Sequence, residues 1–398
     1  MPAILGLRGT GQFTSDERPQ NWREMIMLLF PNGEAPLTAV LSLLKSRPTD
    51  DPSYNWWEKR LPTQRFALNG SHAGSVTVLT VDSGAKDTVA GTILLHENSG
   101  ELIKVLTDPT SDTSIPDVVR SYGAVAAGTL ADDDFLVVVG NVHEQGADPP
   151  TARSYAPTKV TNVTEIFRTA LSLTRTAKKT RLRWDASGPY REAKREALSL
   201  HSIEMEKAFI WGEKIEGTGV TGMPENMTGG VLSFLTTNIG ATNGFGSKAA
   251  PIGLLDEDTL DTMMEGIFRF GSTEKLALCG STFLRALTTI AKRNSQIERV
   301  PTDQTYGMKI MEYISTSGTL MLKNHPLFSQ HPVWRQNALI LDVPNLGYRY
   351  IDDTMFIKNR QNPGQDLSKD EFLTEGGLEL EFEESHGYIQ GVTGGLAA

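Results

Sequence analysis

The sequence predicts a mixed α+β fold, and three observations lead to that prediction. Hydrophobic and polar side chains alternate, as in strands with one buried face, within residues 71–145 and again near the C-terminus. One uninterrupted helical pattern occupies residues 190–213. Shorter helical and strand patterns then follow each other between residues 222 and 351. Strands and helices in this order are typical of an α+β protein.

Length and composition indicate a large globular chain. With 398 residues, against roughly 150 in a typical domain, two or three domains are expected. Lys and Arg number 38 and Asp and Glu number 48, so the net charge of -10 has the wrong sign for a chain that holds nucleic acid mainly by neutralising phosphates. The single cysteine, Cys279, excludes intrachain disulfides and metal sites built from several thiolates.

No secretory or membrane segment is expected. The first residues lack the basic region and the apolar stretch of a signal peptide. Apolar runs such as residues 135–139 are far shorter than the roughly 18 residues that span a bilayer. The sequence therefore predicts a soluble protein without a membrane partner.

Residues 1–50 are predicted to form a segment that packs on another surface. Two short helical patterns, at residues 22–29 and 37–44, are separated by Pro31, Asn32 and Gly33. Isolated helices of fewer than about 12 residues are marginal in water. These segments must therefore place their apolar faces on the body of the protein or on a neighbouring molecule.

Residues 71–145 are predicted to form several antiparallel strands. Val76, Val78 and Thr80 would share one side of a strand, and residues 135–140 would form the best-buried strand of this region. The acidic run at residues 132–134 lacks the spaced oxygen ligands and the glycine of a calcium loop. It is interpreted as a solvated strand end.

The strongest helix is predicted at residues 190–213, with Gly188 or Ser187 as its N-cap and Pro189 in its first turn. At about 1.5 Å per residue it would be some 35 Å long. The predicted buried face consists of Tyr190, Ala193, Ala197, Leu198, Leu200, Met205, Ala208, Phe209 and Trp211. The opposite, solvent-facing side is predicted to carry Arg195, Ser199 and Glu206.

The rest of the chain is predicted as an α+β body with a closing strand. Helices are expected at residues 256–270 and 281–293, a strand at 275–279, and further strands within 308–351. Residues 378–383 alternate strictly, which predicts that Leu378, Leu380 and Phe382 face a core and that three glutamates face water. Residues 388–390 are expected to pair back with that strand.

Motifs for catalysis, cofactors and metals give no positive prediction. Gly217, Gly219 and Gly222 match the dinucleotide-binding fingerprint, but a helix precedes them and neither a helix nor an acidic residue follows at the required distance. The seven histidines do not have the spacing of a zinc site. No catalytic, cofactor-binding or metal-ligating residue is therefore predicted.

A basic cluster lies at residues 168–183, where few acids offset the positive charges. Its members are Arg168, Arg175, Lys178, Lys179, Arg181 and Arg183. A solvated or salt-bridged face is the default interpretation of such a cluster. Contact with nucleic acid or with an acidic partner is the alternative.

The order of these parts resembles that of tailed-bacteriophage major capsid proteins with the Hong Kong 97 fold, and more narrowly a major head protein family of podophage-like viruses. The resemblance covers nearly the whole chain and includes the long helix at 190–213. Its other motifs are EAPLTAVLSLLK (34–45), NWWEK (55–59), VVGNVHE (138–144), NVTEIFR (162–168), GGVLSF (229–234) and the segment 378–391. One departure is Glu165, where the family pattern often has Gln.

The resemblance implies a role for each part of the chain. Residues 1–50 would be the N-terminal arm, and residues 51–160 the extended loop region with a β-rich insertion. Residues 161–222 would form the peripheral domain with its spine helix, and residues 223–370 the axial domain. Residues 371–398 would return a strand to the peripheral domain.

The resemblance implies a structural role without enzymatic activity. Such proteins assemble as pentamers and hexamers into the icosahedral virion shell around double-stranded DNA, without sequence-specific binding. Portal, scaffolding or decoration proteins would be the partners, and assembly would take place in the cytoplasm of the bacterial host. The residues also indicate contact surfaces: Trp22, Trp56 and Trp57 look exposed, and with Arg168 they are the candidate intersubunit contacts.

Three alternatives remain at this point. An encapsulin-type shell shares the fold but packages enzymes. A β-rich hydrolytic enzyme would need a cleft with a perturbed acid or base, and nothing in the sequence marks one. A tail or decoration protein is less compatible with an architecture centred on one long helix.

Overall fold

The computed structural model describes residues 46–60, 62, 64–180, 188–294 and 311–395. Helices and sheets are mixed, which confirms the predicted α+β class. The chain divides into two compact units. The described residues up to Trp56 and from Val160 onward form what we call the main unit, and Trp57–Lys159 forms the inserted unit. The helical patterns predicted at 22–29 and 37–44 lie outside the described residues.

The inserted unit is a small antiparallel β structure. Two strands precede or enter it, β1 (Ser46–Pro48) and β2 (Ser53–Glu58). Its own strands are β3 (Arg65–Ala67), β4 (Leu79–Thr80), β5 (Thr92–His96), β6 (Leu102–Val105), β7 (Ser114–Ile115), β8 (Val118–Val119) and β9 (Phe135–Asn141). They pair as a sheet of order β3-β9-β5-β6-β8 and a short β4-β7 ladder. Aliphatic side chains fill its core, among them Leu68, Leu94, Ile103 and Leu136.

The prediction of several antiparallel strands in this region is confirmed, but two of its details were wrong. Val76 and Val78 precede β4 rather than forming a strand with Thr80, and Val78 is exposed. Residues 135–140 are also not the best-buried strand, because Val139 is 60% exposed whereas β5 is almost entirely buried. The β5 strand lies between two neighbours, while β3 covers only the first residues of β9.

The main unit resumes after the insertion. Its first half contains β10 (Thr158–Val163), β11 (Glu165–Thr174), α1 (Arg175–Lys179), α2 (Pro189–Trp211), β12 (Ile215–Thr218), β13 (Pro224–Met227), α3 (Val231–Phe234), β14 (Gly253–Leu255), α4 (Glu257–Phe268), β15 (Glu274–Cys279) and α5 (Ser281–Asn294). Its second half contains β16 (Met311–Ile314), β17 (Thr319–Asn324), α6 (Pro326–Gln330), β18 (Ala338–Leu341), β19 (Leu346–Ile357), β20 (Leu367–Leu380), β21 (Gly387–Ile389) and β22 (Val392–Gly395).

Two sheets organise the main unit. The first has the order β1-β19-β20-β11, and α2 packs on β11 and β20. The second has the order β16-β17-β15-β18-β21, in which β15 and β17 run parallel. Helices α4 and α5 bury Met264, Ile267 and Phe283 against it. The C-terminal half of α2 shares a core with both sheets through Phe209.

Helix α2 ends two residues earlier than predicted, because of a close approach at Gly212. The Gly212 amide donates to Ala208 O at 2.8 Å, and a Cβ at this position would meet carbonyl oxygens of Ala208 and Thr228. Gly188 is the N-cap and Pro189 opens the helix, as the sequence predicted. A side chain at position 212 would push the segment after the helix away from the core.

The predicted faces of α2 were wrong in part. His201 and Glu206 are buried, whereas Leu198 and Leu200 are more than 40% exposed. Polar partners explain the buried pair, since His201 lies between the hydroxyls of Thr169 at 3.0 Å and Thr374 at 2.8 Å. The carboxylate oxygen Oε1 of Glu206 forms a hydrogen bond with Nε2 of His325, at a distance of 2.9 Å. A helical wheel that considers only hydrophobic residues cannot identify a buried face formed by polar side chains.

The predicted wet face of residues 378–383 was also wrong. Glu379 is buried and forms a bidentate ion pair with Arg349, with contacts of 2.6 and 3.1 Å. Phe382 lies after the end of β20 with a φ of 52° and is 36% exposed. Residues 387–389, as β21, pair with β18 of the second sheet instead of with β20.

The predictions for the central segment were close. Helix α4 begins after Asp256, with Glu257 and Asp258 in its first turn, where the helix dipole favours acidic residues. Cys279 ends β15 and is fully buried, and burial strongly raises the pKa of its thiol. Gly219 and Gly222 lie in the turn of the β12–β13 hairpin, a context that excludes a dinucleotide-binding strand–turn–helix.

Candidate assembly surfaces

The two neighbouring tryptophans of β2 have opposite environments. Side chains alternate along this strand, so Trp56 is 7% exposed while Trp57 is 62% exposed. Trp56 packs near Tyr54 and Phe234, with ring centroids 6.3 and 5.9 Å away. The expectation of an exposed Trp56 was therefore wrong, and that of an exposed Trp57 is confirmed. Trp22 lies outside the described residues.

A buried polar anchor, which the sequence did not reveal, fixes the chain around β10. The Tyr54 hydroxyl and the Asn162 amide both donate to Leu378 O at 2.7 Å. Asn162 also exchanges hydrogen bonds with the backbone of Gly229, at 2.8 and 3.0 Å. Strands and loops that are distant in sequence are thereby tied together by amide and hydroxyl groups. A buried Asn inside a strand was the available signal, because such groups require partners.

Glu165 lies beside this anchor, at the position where the sequence departs from the resembled family. Its Oε2 accepts a hydrogen bond from the Thr228 amide at 3.1 Å. Burial raises the pKa of this carboxyl group above its ordinary value. The contact at position 165 is thus an internal one that links β11 to the segment after β13.

Arg168 lies on the face of β11 that points away from α2. Its guanidinium donates to Glu371 at 2.7 Å, and Arg360 approaches the other oxygen of the same carboxylate at 2.8 Å. Hydrogen bonding to Arg168 lowers the pKa of Glu371. The Arg168 side chain remains 59% exposed. It therefore combines an internal ion pair with a surface available to an external carboxylate.

The β12–β13 hairpin has an apolar tip. Val220 is fully exposed and Met223 is 69% exposed, while Ile215 at the base is 49% exposed. The turn is closed by the Gly219 amide, which donates to Met223 O at 2.8 Å. Exposed apolar groups on an ordered hairpin are typical of a surface that another molecule covers. The glycines at 217–222 had been interpreted as a flexible segment after the long helix, and the sequence did not reveal the apolar tip.

A Ser-His-Asp array in the inserted unit tests the enzymatic alternative. The ring of His96 lies with Nδ1 2.7 Å from Ser99 Oγ and Nε2 3.0 Å from Asp134 Oδ2. Nδ1 also accepts the Ser99 amide hydrogen at 3.2 Å, and His96 is buried. Nδ1 is therefore engaged in the β5–β6 turn, while Nε2 faces the carboxylate of Asp134, just before β9. The array joins the β5–β6 turn to the segment before β9.

A second cluster of buried titratable groups, Lys275 and His386, lies in the main unit. Lys275 donates to the carbonyl oxygens of Ile267, Phe270 and Ser385 at 2.6–2.8 Å. Burial lowers its pKa to about 8, and burial likewise lowers the pKa of His386 to about 4. All three protons of the ammonium have acceptors, so Lys275 fixes the end of α4 against the chain before β21.

A surface cavity of about 450 Å³ adjoins this region. It lies between α4 and the loop at residues 237–245, and its charged groups are Asp258, Arg269 and Glu384. Glu383 supports the loop by accepting the backbone amides of Thr236 and Thr237 at 3.0 and 3.1 Å. The cavity is lined by polar and apolar groups together, and it has the size of a large side chain or a small ligand.

Within the described ranges, His, Cys, Asp and Glu side chains do not form a group of three that could hold a metal ion. None of the helices in the described part of the chain is long and apolar enough to span a bilayer.

Comparisons with known proteins show where this architecture belongs. The family model of the SU10 major capsid protein matches residues 8–393. The major capsid protein of Pseudomonas phage PaMx41 is 28% identical over 358 residues, which cover 88% of this chain and 83% of the relative.

Solved structures of similar overall coverage include two phage proteins. A chain from the capsid asymmetric unit of cyanophage A-1(L) has a TM-score of 0.49 at 9% identity and covers 96% of this chain and 99% of its own length. A chain from Mycobacterium phage Bobi has a TM-score of 0.46 at 10% identity, with 96% and 97% covered.

The matched family model spans the chain from before the described residues to β22, so it includes both units. Because the model describes a phage major capsid protein, the encapsulin alternative is less well supported. The resemblance to phage major capsid proteins is confirmed, as is the predicted role of major capsid protein. The chain belongs to the SU10 major capsid protein family.

Proposed function

We propose that this chain assembles as pentamers and hexamers into an icosahedral shell that encloses the double-stranded DNA of a tailed phage. The family match over residues 8–393 is the observation that supports this function. A closed shell multiplies modest contacts through symmetry, so each interface needs little affinity of its own. The role is structural, without catalysis, and the protein resides in the virion after assembly in the host cytoplasm.

The apolar groups on the surface support assembly. Val220, Met223 and Ile314 are at least 69% exposed in the isolated chain. Association would bury them and so remove apolar area from water at about 25 cal/mol per Å². In this proposal, neighbouring subunits cover these groups.

Trp57 and Arg168 are the described candidates for intersubunit contacts. An exposed tryptophan supplies a large apolar surface, and tryptophan and arginine are enriched among the residues that dominate binding energies at interfaces. Trp57→Ser and Arg168→Gln should each reduce shell yield while leaving the subunit folded. Yield by sedimentation and folding by circular dichroism test this assignment, and shells formed with unchanged yield by both variants would refute it.

The proposed division of labour follows the family resemblance. Residues 1–50 would serve as the arm, 51–160 as the extended loop region, 161–222 and 371–398 as the peripheral domain, and 223–370 as the axial domain. Portal, scaffolding or decoration proteins of the phage would be the partners. The compact insertion, Trp57–Lys159, supports an extended loop region enlarged by a separate β unit.

Negative-stain electron microscopy with sedimentation velocity tests the proposal. The purified chain is studied over a range of concentrations at near-physiological salt. Closed particles tens of nanometres across, or discrete pentamers and hexamers, are the expected result. A stable monomer or dimer under all conditions, including with the phage scaffold, would contradict self-assembly.

A further inference from the structure

One end of the first sheet carries a concentration of positive charge on an otherwise acidic chain. We call it the basic patch and define it by Arg175, Lys178, Lys179, Arg191, Lys358 and Lys369. All six side chains are exposed. They come from α1, the first turn of α2, and the ends of β19 and β20. The whole chain, by contrast, has a net charge of -10.

Hydrogen bonds show that these segments meet in one place. The Tyr190 hydroxyl donates to Asp370 at 2.6 Å, and the other oxygen of Asp370 accepts the Asn359 amide at 2.9 Å. Lys178 donates to Ser368 Oγ at 3.3 Å and lies 4.7 Å from the Tyr190 ring. The start of α2, the end of β19 and the start of β20 are therefore held together, and the residues of the patch come from segments that lie side by side.

Among the described residues, the ion pair of Arg175 with Asp366, at 2.9 Å, compensates the positive charge of the patch only in part. Lys179, Arg191, Lys358 and Lys369 form no ion pair with any carboxylate of the described residues. The nearby carboxylates have other partners, since Asp370 binds Tyr190 and Glu371 binds Arg168 and Arg360. Like charges crowded together repel each other, so an external anion would stabilise this surface.

The chemistry of the patch favours phosphates over the carboxylates of a second copy. The inserted unit is acidic, with 13 Asp and Glu against 8 Lys and Arg. However, several of its acids are already engaged: Glu101 with Arg120, Asp108 with Thr151, and Asp132 with the Gly70 amide. A duplex instead presents one negative charge per about 1.7 Å of its axis, and the binding of protein cations releases the counterions condensed on it.

We propose that the basic patch binds the phosphate backbone of the enclosed double-stranded DNA without sequence preference, and hence that this end of the first sheet faces the interior of the shell. The inference rests on the proposed function, because only a subunit that encloses DNA has an interior surface. A patch of a few cations on an acidic subunit would hold the outer layer of DNA weakly. Such weak attachment permits the genome to move during packing and release.

Fluorescence anisotropy of a labelled 30-base-pair duplex tests the proposal with the full-length chain at about 20 to 200 mM salt. The variant is Lys179→Gln/Lys358→Gln/Lys369→Gln, whose side chains make no ion pair that folding needs. The matched control is Lys59→Gln/Lys86→Gln/Lys159→Gln, with the same change of charge on exposed lysines of the inserted unit. The variant Lys179→Arg/Lys358→Arg/Lys369→Arg keeps the charge and serves as the rescue.

In the patch variant we expect the slope of log affinity against log salt to become shallower by about 2 to 3, since each phosphate contact contributes about 0.9. The affinity at 100 mM salt should fall about tenfold or more, while the control and the arginine variant bind as the parent does. Equal binding by patch variant and control, or no binding by the parent, would overturn the proposal.

Shell formation is scored in parallel by electron microscopy, so the two proposals fail separately. A parent chain that binds DNA through the patch but never assembles would refute the proposed function and leave the phosphate site standing. A patch variant that binds DNA normally but fails to assemble would overturn the phosphate site. The patch would then be a contact with a second copy of the chain.

Discussion

The two units stabilise their buried polar groups over very different sequence distances. In the inserted unit the buried ion pair of Arg120 and Glu101 spans 19 residues. In the main unit the bond from Tyr54 to Leu378 spans 324 residues, and that from His325 to Glu206 spans 119. The inserted unit can therefore complete its network early, whereas the main unit needs nearly the whole chain.

This difference teaches how folding is divided along the chain. Contacts between distant residues require large loops to close, which slows folding and leaves partly folded states exposed. The inserted unit has its own aliphatic core and its own buried ion pair. We therefore expect it to fold first and independently. The main unit should become stable only when β20, which lies between β19 and β11, has been added.

The largest expected effect comes from ending the chain after residue 366, which removes β20 to β22. The first sheet then loses the partner of both β11 and β19, so the main unit should lose its protection completely. The inserted unit should keep its slow amide exchange. Hydrogen exchange followed by mass spectrometry measures both regions in one experiment. Slow amide exchange in the helices of the main unit of the truncated chain would show that this unit does not need β20 to become stable.

Arg120→Met should be the most damaging single substitution in the inserted unit. Arg120 donates twice to Glu101 at 2.8 Å, and both side chains are at least 95% buried. Removing one partner of a buried pair leaves an uncompensated charge, at a cost of about 3–5 kcal/mol. The loss of unfolding free energy is measured by chemical denaturation, with the amide-exchange protection of β6 as the probe of the inserted unit.

The matched control is Arg65→Met, which breaks an equally well-aligned pair with Glu97 on the surface. Solvent screens that pair, so we expect no measurable change. If both variants lose a similar free energy of unfolding, burial does not make the Arg120–Glu101 pair more stabilising than the Arg65–Glu97 pair.

Acid should weaken the main unit through His386. Burial lowers its pKa to about 4 in the folded protein, against about 6.5 in an unfolded chain. Between these values the unfolded state binds the proton and the folded state does not, so stability falls as the pH falls from 6.5 to 4. The full loss is about 3 kcal/mol.

Unfolding in urea at pH 7 and pH 4.5 tests this, with His386→Gln as the comparison. Neighbouring Asp342, Lys275 and the carbonyl of Glu381 face this ring and remain in the variant. The variant should be less stable at pH 7 and should lose less between the two pH values. The same pH dependence in both proteins would place the acid-sensitive group elsewhere.

The smallest effect on stability is expected at the hairpin tip. Val220→Asp changes a fully exposed side chain and should alter the free energy of unfolding by less than about 0.5 kcal/mol. It should nevertheless reduce shell yield strongly, because a charge would have to be desolvated in the contact. Val139→Asp, at an exposed valine of the inserted unit, is the matched control for charge. Normal shells from Val220→Asp would exclude the hairpin from the contacts.

The sequence predicted those features that depend on local patterns. The start of α2 at Pro189, the acids at the start of α4 and the position of β15 follow from capping, dipole and hydrophobic patterns. The rejection of a dinucleotide site at Gly217 followed from its neighbours in the sequence. The family resemblance gave the function, which local patterns alone would not have reached.

Three of the errors share one physical cause, which is burial against residues that are distant in the sequence. Glu206 and Glu379 were placed in water because neither His325 nor Arg349 is near them in sequence. Trp56 was placed at the surface because Phe234, its neighbour in the core, lies far along the chain. The basic patch was visible only in part, since Lys358 and Lys369 join it through β19 and β20.

Cys279 has a practical consequence for experiments on this protein. It is the single thiol of the chain, it is completely buried, and its raised pKa keeps it protonated at neutral pH. A maleimide reagent therefore finds no reactive native site on the folded chain. A cysteine introduced at Val220 or Lys369 would be the one labelled position, so dyes or spin labels could report the surroundings of each surface without first removing the native residue.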